Sequence, residues 1–301
     1  MLHFSFTSQM KEIAKKVRKY EIRIRKAINS QMQGDFQSIF KGTGLEFDDV
    51  RAYQYGDDVR TIDWSVTAKG HGTFVKTFIE TKEQTVFFLV DVSGSQEIGK
   101  PGKAKLDISK EICGVLSLVA LKESSKVGLI CFSDQKERFI KPGKGNPQLY
   151  QILNGLYELK PKSSKTNISQ AITYTLNAIK KRSVIFIISD FIDEGYIKNL
   201  KAMGKKHDLI VIQVNDKREK DIPNLGIIPV YDKEEKKTTW VNTSSAYFKN
   251  QLNKTYSKNT EELKAICRKF QINYLSVDTG ENYVPKLIKL FKVRNKLVKR
   301  V

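Results

Sequence analysis

From residue 83 onward, short continuous apolar runs alternate with amphipathic stretches, and this alternation limits what the chain can fold into. Residues 84–90, 126–132, 184–189, 209–214 and 274–277 read as strands, with 137–140 a further short one. Residues 104–122, 147–159, 168–180, 195–205, 260–270 and 283–293 read as helices. A strand that is apolar at every position has both faces covered, as in a parallel sheet between helical layers. We therefore expect an α/β fold with a mainly parallel central sheet, helices on both faces and right-handed crossovers. Residues 227–231 and 238–241 flank a charged turn at 233–237 and predict a β-hairpin insertion near 222–245.

The first 80 residues have a different character. Met10, Ile13, Val17, Tyr20, Ile24 and Ile28 recur at helical spacing, so 10–28 predicts an amphipathic helix. Over 34–80, Gly42, Gly44, Gly56, Gly70 and Gly72 break any long helix, and short β-like pieces lie between them. Asp48, Asp49, Asp57, Asp58 and Asp63 cluster there. The chain thus divides into an N-terminal helix with a small β-rich segment, 1–80, and a main domain, 81–301. One helix and a few short strands bury little, so the first part is expected to pack on the second.

The charge balance excludes less than it suggests. The formal net charge is +20, which invites a nucleic-acid reading. The excess is spread along the chain, however, and comes from 42 Lys against 11 Arg. Base reading and bidentate phosphate contacts favour Arg. A solvated basic surface that steers an acidic partner is the better reading, and nucleic acid is not the expected partner. The most apolar run, residues 112–121, falls well short of the roughly 20 residues a membrane helix needs. No signal peptide is evident. Cys113, Cys131 and Cys267 are scattered in apolar contexts and suggest neither a disulfide framework nor a metal pair. A reducing, cytoplasmic setting fits.

Chemistry concentrates where two strands end. Asp91-Val92-Ser93-Gly94-Ser95 follows the strand 84–90, and Asp190 follows the strand 184–189. Ligands of open α/β sheets bind at the carboxyl ends of strands, where strand order reverses. Thr166 lies in a polar loop just before a helix. If the two strands are neighbours, Asp91, Ser93, Ser95, Thr166 and Asp190 converge. Two carboxylates and three hydroxyls are hard oxygen donors suited to Mg2+ or Mn2+.

This set resembles the metal-ion-dependent adhesion site of von Willebrand factor A-type (vWA) domains, whose fold is Rossmann-like. The resemblance implies that the hydroxyls of Ser93, Ser95 and Thr166 bind the metal directly and that Asp91 and Asp190 act mostly through water. A second resemblance covers the preceding region. Gly42-Thr43-Gly44-Leu45-Glu46-Phe47, Arg51-Ala52-Tyr53 and the run from Gly56-Asp57-Asp58-Val59-Arg60 to Thr61-Ile62-Asp63-Trp64 are similar to the signature of the DUF58 family. Members are often encoded beside MoxR-type AAA+ ATPases, which implies a role in complex assembly, chaperone-like or stress-related, with such an ATPase as partner. Many relatives carry membrane helices; no such span is expected here, which leaves at most a peripheral place at the inner membrane.

Within the signature, Gly56-Asp57-Asp58 reads as a turn. Arg60 and Asp63 are expected to pair with each other or with neighbours in a semi-buried charge network, and Trp64 to anchor the segment to the main domain with its indole N–H satisfied. Gly44, Glu46, Phe47, Arg51, Tyr53 and the rest of the run are structural or partner-binding. The expected function is binding: a metal held mainly by neutral hydroxyls attracts a partner's carboxylate. A Mg2+-dependent hydrolase or phosphoryl-transfer enzyme is the alternative. Against it, the chain has no P-loop and no Gly-x-Ser-x-Gly elbow, and His3, His71 and His207 lie outside the constellation. A basic nucleic-acid-binding protein is the second alternative.

Overall fold

The structure, a computed structural model, describes residues 45–70, 72–80, 84–219, 222–234 and 237–298. The predicted helix 10–28 and Gly42 and Gly44 of the signature lie outside the described residues.

The described chain opens with an antiparallel ribbon, β1 (Leu45–Ala52) and β2 (Phe74–Glu80), with a register shift between Phe47 and Asp49. A 3-10 turn (Val59–Thr61) and the one-turn helix α1 (Trp64–Thr67) cross between the two strands. Then come β3 (Thr85–Asp91), the small hairpin β4 (Gly99–Lys100) and β5 (Lys103–Ala104), and α2 (Lys105–Lys122). Next are β6 (Lys126–Phe132), β7 (Lys136–Gly143), α3 (Gly145–Tyr157), α4 (Ile168–Ala178), β8 (Val184–Ser189), α5 (Ile197–Lys206) and β9 (Asp208–Asn215). The hairpin β10 (Ile227–Asp232) and β11 (Lys237–Asn242) precedes α6 (Ala246–Lys269), β12 (Asn273–Asp278) and α7 (Val284–Val298).

Six strands form the central sheet in the order β12-β9-β8-β3-β6-β7. All neighbours are parallel except β6 and β7. β7 is an antiparallel edge and carries Pro142, which an edge strand tolerates. It is longer than the predicted 137–140. From β3 the chain builds outward to β6 and β7 on one side, and β8, β9 and β12 fill the other. Strand order therefore reverses between β3 and β8.

Successive strand residues point to opposite faces, which builds two cores from one sheet. Val86, Phe88 and Val90 pack with Ile112, Val115, Leu116 and Val119 of α2, Ile152 of α3 and Phe291 of α7. Phe87 and Leu89 pack on the other side with Ile172 of α4, Leu200 and Met203 of α5 and Leu263 of α6. Phe88 stacks on Phe186 with ring centroids 5.1 Å apart, and Phe186 meets Phe291 edge-on. Each fully buried aromatic or branched side chain contributes roughly 1.5–3 kcal/mol. The sheet is accordingly rigid enough to hold groups at its strand ends in fixed positions.

α6 is longer than the predicted 260–270. Its first half, from Ala246, is mostly polar and exposed, and an N-cap starts it: the Ser245 hydroxyl accepts from the Phe248 N–H. Among the described residues, no helix is long and apolar enough to cross a membrane.

Candidate functional site

The carboxyl ends of β3 and β8 are adjacent, because Val90 pairs with Ile188 in parallel register. This places Asp91 beside Ser189 at the point where strand order reverses. Asp91 is fully buried. Its Oδ1 accepts from the Ser93 backbone N–H at 2.9 Å and its Oδ2 from the Ser189 hydroxyl at 2.6 Å. Burial, and then the charge of Asp190, push its pKa up to about 7, against the hydrogen bonds from Ser189 and Ser93.

Ser93 immediately precedes a 3-10 turn over Gly94–Glu97, and its hydroxyl lies 3.1 Å from that of Ser95. Thr166 stands just before α4, which Asn167 caps by accepting from the Gln170 N–H at 2.8 Å. The Thr166 loop is tied to the serine turn, since the Gly94 N–H donates to the Ser164 carbonyl at 2.8 Å. At Phe191 the backbone takes a φ of +58°, uncommon for a bulky side chain. That turn ends β8 sharply; the Phe191 N–H donates to Ser189 Oγ at 3.0 Å and the ring sits buried against Tyr196.

Asp190 has an internal cation. Lys105, the first residue of α2, is fully buried and donates to Asp190 Oδ2 at 2.7 Å and to Glu219. Burial lowers the Lys105 pKa, but Asp190 and Glu219 more than offset it, so it stands above its ordinary value. Burial raises that of Glu219 despite Lys105. The motif residues thus sit in a charge cluster that sequence reading did not anticipate.

Glu234 is another addition. It lies at the tip of the β10–β11 hairpin, and its Oε1 accepts from the Thr166 hydroxyl at 2.9 Å. Burial raises its pKa, against the Thr166 bond.

Whether a divalent cation suits these residues can be judged from their donors. Among the described residues no group of three or more His, Cys, Asp or Glu side chains is arranged to hold a metal. What is gathered instead is a set of hydroxyls with buried carboxylates, and Asp91, Asp190 and Glu219 outnumber Lys105, the one fully buried cation among the described residues. Gln96 adds an orphan: it is fully buried, and its Oε1 has no hydrogen-bond partner. Acidic excess, clustered hydroxyls and a free buried acceptor fit a hard cation with bound water.

Two of these additions carried a sequence signal. Ser189 directly precedes Asp190. Lys105 shares the helical face of Ile108 and Ile112, and a Lys on an apolar face needs a buried counter-charge. Nothing local marks Glu234, which sits in a charged turn.

The signature region makes a different arrangement. The Arg51 guanidinium clasps Asp57 in a two-pronged pair of 2.7 and 2.8 Å, and Asp57 also accepts from the Gln54 N–H. Gly56, with a φ of +106°, makes the turn that allows this. Arg60 pairs with Asp58, not with Asp63. Asp63 caps α1, accepting from the Ser65 and Val66 N–H groups, and lies 3.7 Å from Lys76. The Tyr53 N–H donates to the Thr73 carbonyl. Glu46 and Phe47 take part in the β1–β2 backbone pairing. Two expectations change. The charges form separate pairs and not one network: Arg60 and Asp58 are exposed, whereas Asp57 and Asp63 are half-buried. Trp64 is 70% exposed, so its ring is not buried against the described part of the main domain; Asp63 already fixes its turn by capping.

Comparison with known proteins follows the same division. The uncharacterized protein Rv1480 of Mycobacterium tuberculosis is 24% identical over 226 residues, covering 74% of this chain and 71% of the relative. Mb1516 of Mycobacterium bovis matches to the same extent. Among solved structures, the conserved hypothetical protein BatB from Bacteroides thetaiotaomicron is similar at 18% identity and a TM-score of 0.47, covering 71% of this chain and 99% of that one. The manganese-loaded TRAP protein of Plasmodium vivax is similar at 16% identity and a TM-score of 0.39, covering 70% and 73%. The SpRpn10 VWA domain gives 11% and 0.38, covering 69% and 94%. The family model described as "Protein of unknown function DUF58" matches residues 49–262, which takes in most of the signature, both strand-end aspartates, the hydroxyl loop and the hairpin. With well over half its length matched, the chain belongs to the DUF58 family.

Proposed function

We propose that this protein is a metal-dependent protein-binding module. The observation that carries the reading is the Ser93–Ser95 hydroxyl pair after buried Asp91, with buried Asp190 at the end of the neighbouring strand and the Thr166 loop tied to the serine turn through Ser164. In this reading residues 81–301 form the domain that bears the site, the hairpin is an insertion, and residues 1–80 are an accessory segment. Mg2+ or Mn2+ would be held by the three hydroxyls, with Asp91 and Asp190 acting through water. Such a cation supplies one thing, an under-neutralised positive centre that takes a partner's Asp or Glu.

The chain's own residues do the rest. Lys105 keeps the Asp190 carboxylate oriented, and Ser189 and the Ser93 N–H do the same for Asp91. The basic surface steers an acidic partner inward. Metal and partner binding are then thermodynamically linked. A MoxR-type AAA+ ATPase is the partner class we favour, in a cytoplasmic setting or at the periphery of the inner membrane.

The test is capture from native lysate with Mg2+ and with EDTA, using wild type and Asp91→Asn. An AAA+ ATPase retained only by wild type and only with Mg2+ is the expected result. Identical captures under all four conditions would overturn the reading.

A further inference from the structure

The tip of the β10–β11 hairpin lies across the candidate site. Glu234 accepts from Thr166 at 2.9 Å, so its carboxylate engages one of the three proposed metal-binding hydroxyls. The neighbouring Lys233 pairs with Glu97, at the end of the serine turn. A Cβ added at Gly94 would stand 3.2 Å from Lys233 Cβ, so the tip rests directly on the glycine of the Asp-Val-Ser-Gly-Ser loop. The Glu234 N–H donates to Asp232 Oδ1 at 2.8 Å, which holds the carboxylate-bearing residue in a defined turn.

The rest of the hairpin is poorly held. Among the described residues its strands pair only with each other. Ile227, Tyr231 and Trp240 are each more than half exposed. A two-stranded ribbon alone is marginal in water. Its base, by contrast, is fixed: Thr243 is fully buried, its N–H and hydroxyl both donate to the Gly226 carbonyl, and its hydroxyl accepts from the Leu225 N–H. A tethered arm with a firm base and an acidic tip can lie in the site or swing clear of it.

We propose that Glu234 is a built-in occupant of the site: it holds the place of a partner's acidic side chain, and the hairpin must withdraw before that partner binds. This rests on the metal-dependent reading above and adds its regulation. A tethered carboxylate competes at the high effective concentration of an intramolecular group. A partner's apparent affinity then falls in proportion to the fraction of molecules with the hairpin withdrawn. With the metal bound, the Glu234 carboxylate completes its surroundings and the hairpin tightens.

The test is Mn2+ binding by calorimetry on wild type, Glu234→Ala and Asp91→Asn, each with added sodium acetate or with sodium chloride at equal ionic strength. Amide hydrogen exchange over β10 and β11 is followed in parallel. The expected result is Mn2+ affinity about tenfold weaker in Glu234→Ala, restored by acetate, which has no effect on wild type. Mn2+ should also slow hairpin exchange in wild type and leave it unchanged in Glu234→Ala. Equal affinities in wild type and Glu234→Ala, with acetate acting alike on both, would overturn this proposal while leaving the site reading intact, provided Asp91→Asn loses Mn2+. If Asp91→Asn binds Mn2+ as wild type does, the site reading fails and this proposal with it. Glu234 is half-buried in a hairpin turn, so its replacement leaves the core untouched, and an unchanged melting midpoint confirms it.

Discussion

Two aspartate-rich regions of this protein treat their charges in opposite ways. At the strand ends, Asp91, Asp190 and Glu219 are buried, and one buried ammonium serves the last two. In the signature ribbon, Asp57, Asp58 and Asp63 each find a partner within a few residues, in turns where none of them is fully buried. The first arrangement depends on elements far apart in sequence: Lys105 is 85 residues from Asp190 and 114 from Glu219. The second depends on almost nothing beyond its own turns. A long and specific run of residues is therefore not a guide to where the energy lies. Buried charges demand their partners, because an unpaired one cannot turn to water.

Lys105→Met puts the largest strain on this contrast. It keeps the side-chain volume and removes the ammonium that donates to both Asp190 and Glu219. We expect a loss of about 3–5 kcal/mol in urea unfolding at neutral pH. Adding Asp190→Asn and Glu219→Gln to the Met variant should recover much of that loss, because the two carboxylates would no longer be stranded. A Lys105→Met protein as stable as wild type would show that water reaches these groups and would end the contrast.

Legibility followed the same physics. The inner strands β3, β6 and β8 were readable because they are nearly continuous apolar runs, and Val184–Ser189 came out to the residue. Strand adjacency was a condition in the sequence reading, since no local pattern says that β8 lies beside β3. Once the pairing is known, Asp91 and Asp190 fall together without further input. Glu234 was unreadable, because its role depends on where a hairpin tip lands 68 residues after Thr166. The first half of α6 was missed because its apolar residues are too sparse to mark a period. Trp64 was misplaced because a large aromatic in a specific run suggests burial, whereas here a capping aspartate does the positioning.

His207 sharpens the contrast by separating burial from pairing. It lies at the opposite, amino end of β9, is 2% exposed, and neither ring nitrogen has a hydrogen-bond partner. Burial, and then Lys206 and Arg182, lower its pKa to about 4. The unfolded chain, with His near its ordinary 6.5, binds the proton more readily, so protonation favours unfolding. Stability from this group is complete above about pH 6.5 and is lost as pH falls toward about 4. Relative to His207→Leu, wild type should lose about 3 kcal/mol across that window. Parallel pH profiles for the two proteins would mean that the imidazole is solvated and that burial alone is not what matters.

Asp57→Asn is expected to have the smallest effect and tests the other side of the contrast. Asp57 is held by the Arg51 fork and the Gln54 N–H, and these hydrogen bonds keep its carboxyl below the usual range. By sign, its contribution is present above the ordinary carboxylate pKa and is lost as pH falls through its lowered value. Its partner is exposed, however, and an exposed ion pair competes with water and salt. The variant amide still accepts one of the guanidinium hydrogen bonds, and Gly56 still sets the turn. At neutral pH the urea midpoint should match wild type within error, and in molar salt the two should be indistinguishable. A loss approaching that of Lys105→Met would break the contrast outright. It would mean that the Arg51–Asp57 clasp holds the ribbon in place, and that the signature describes a structural joint. An unchanged midpoint would instead leave these charges free of any folding duty and make them the next residues to test for contact with a partner.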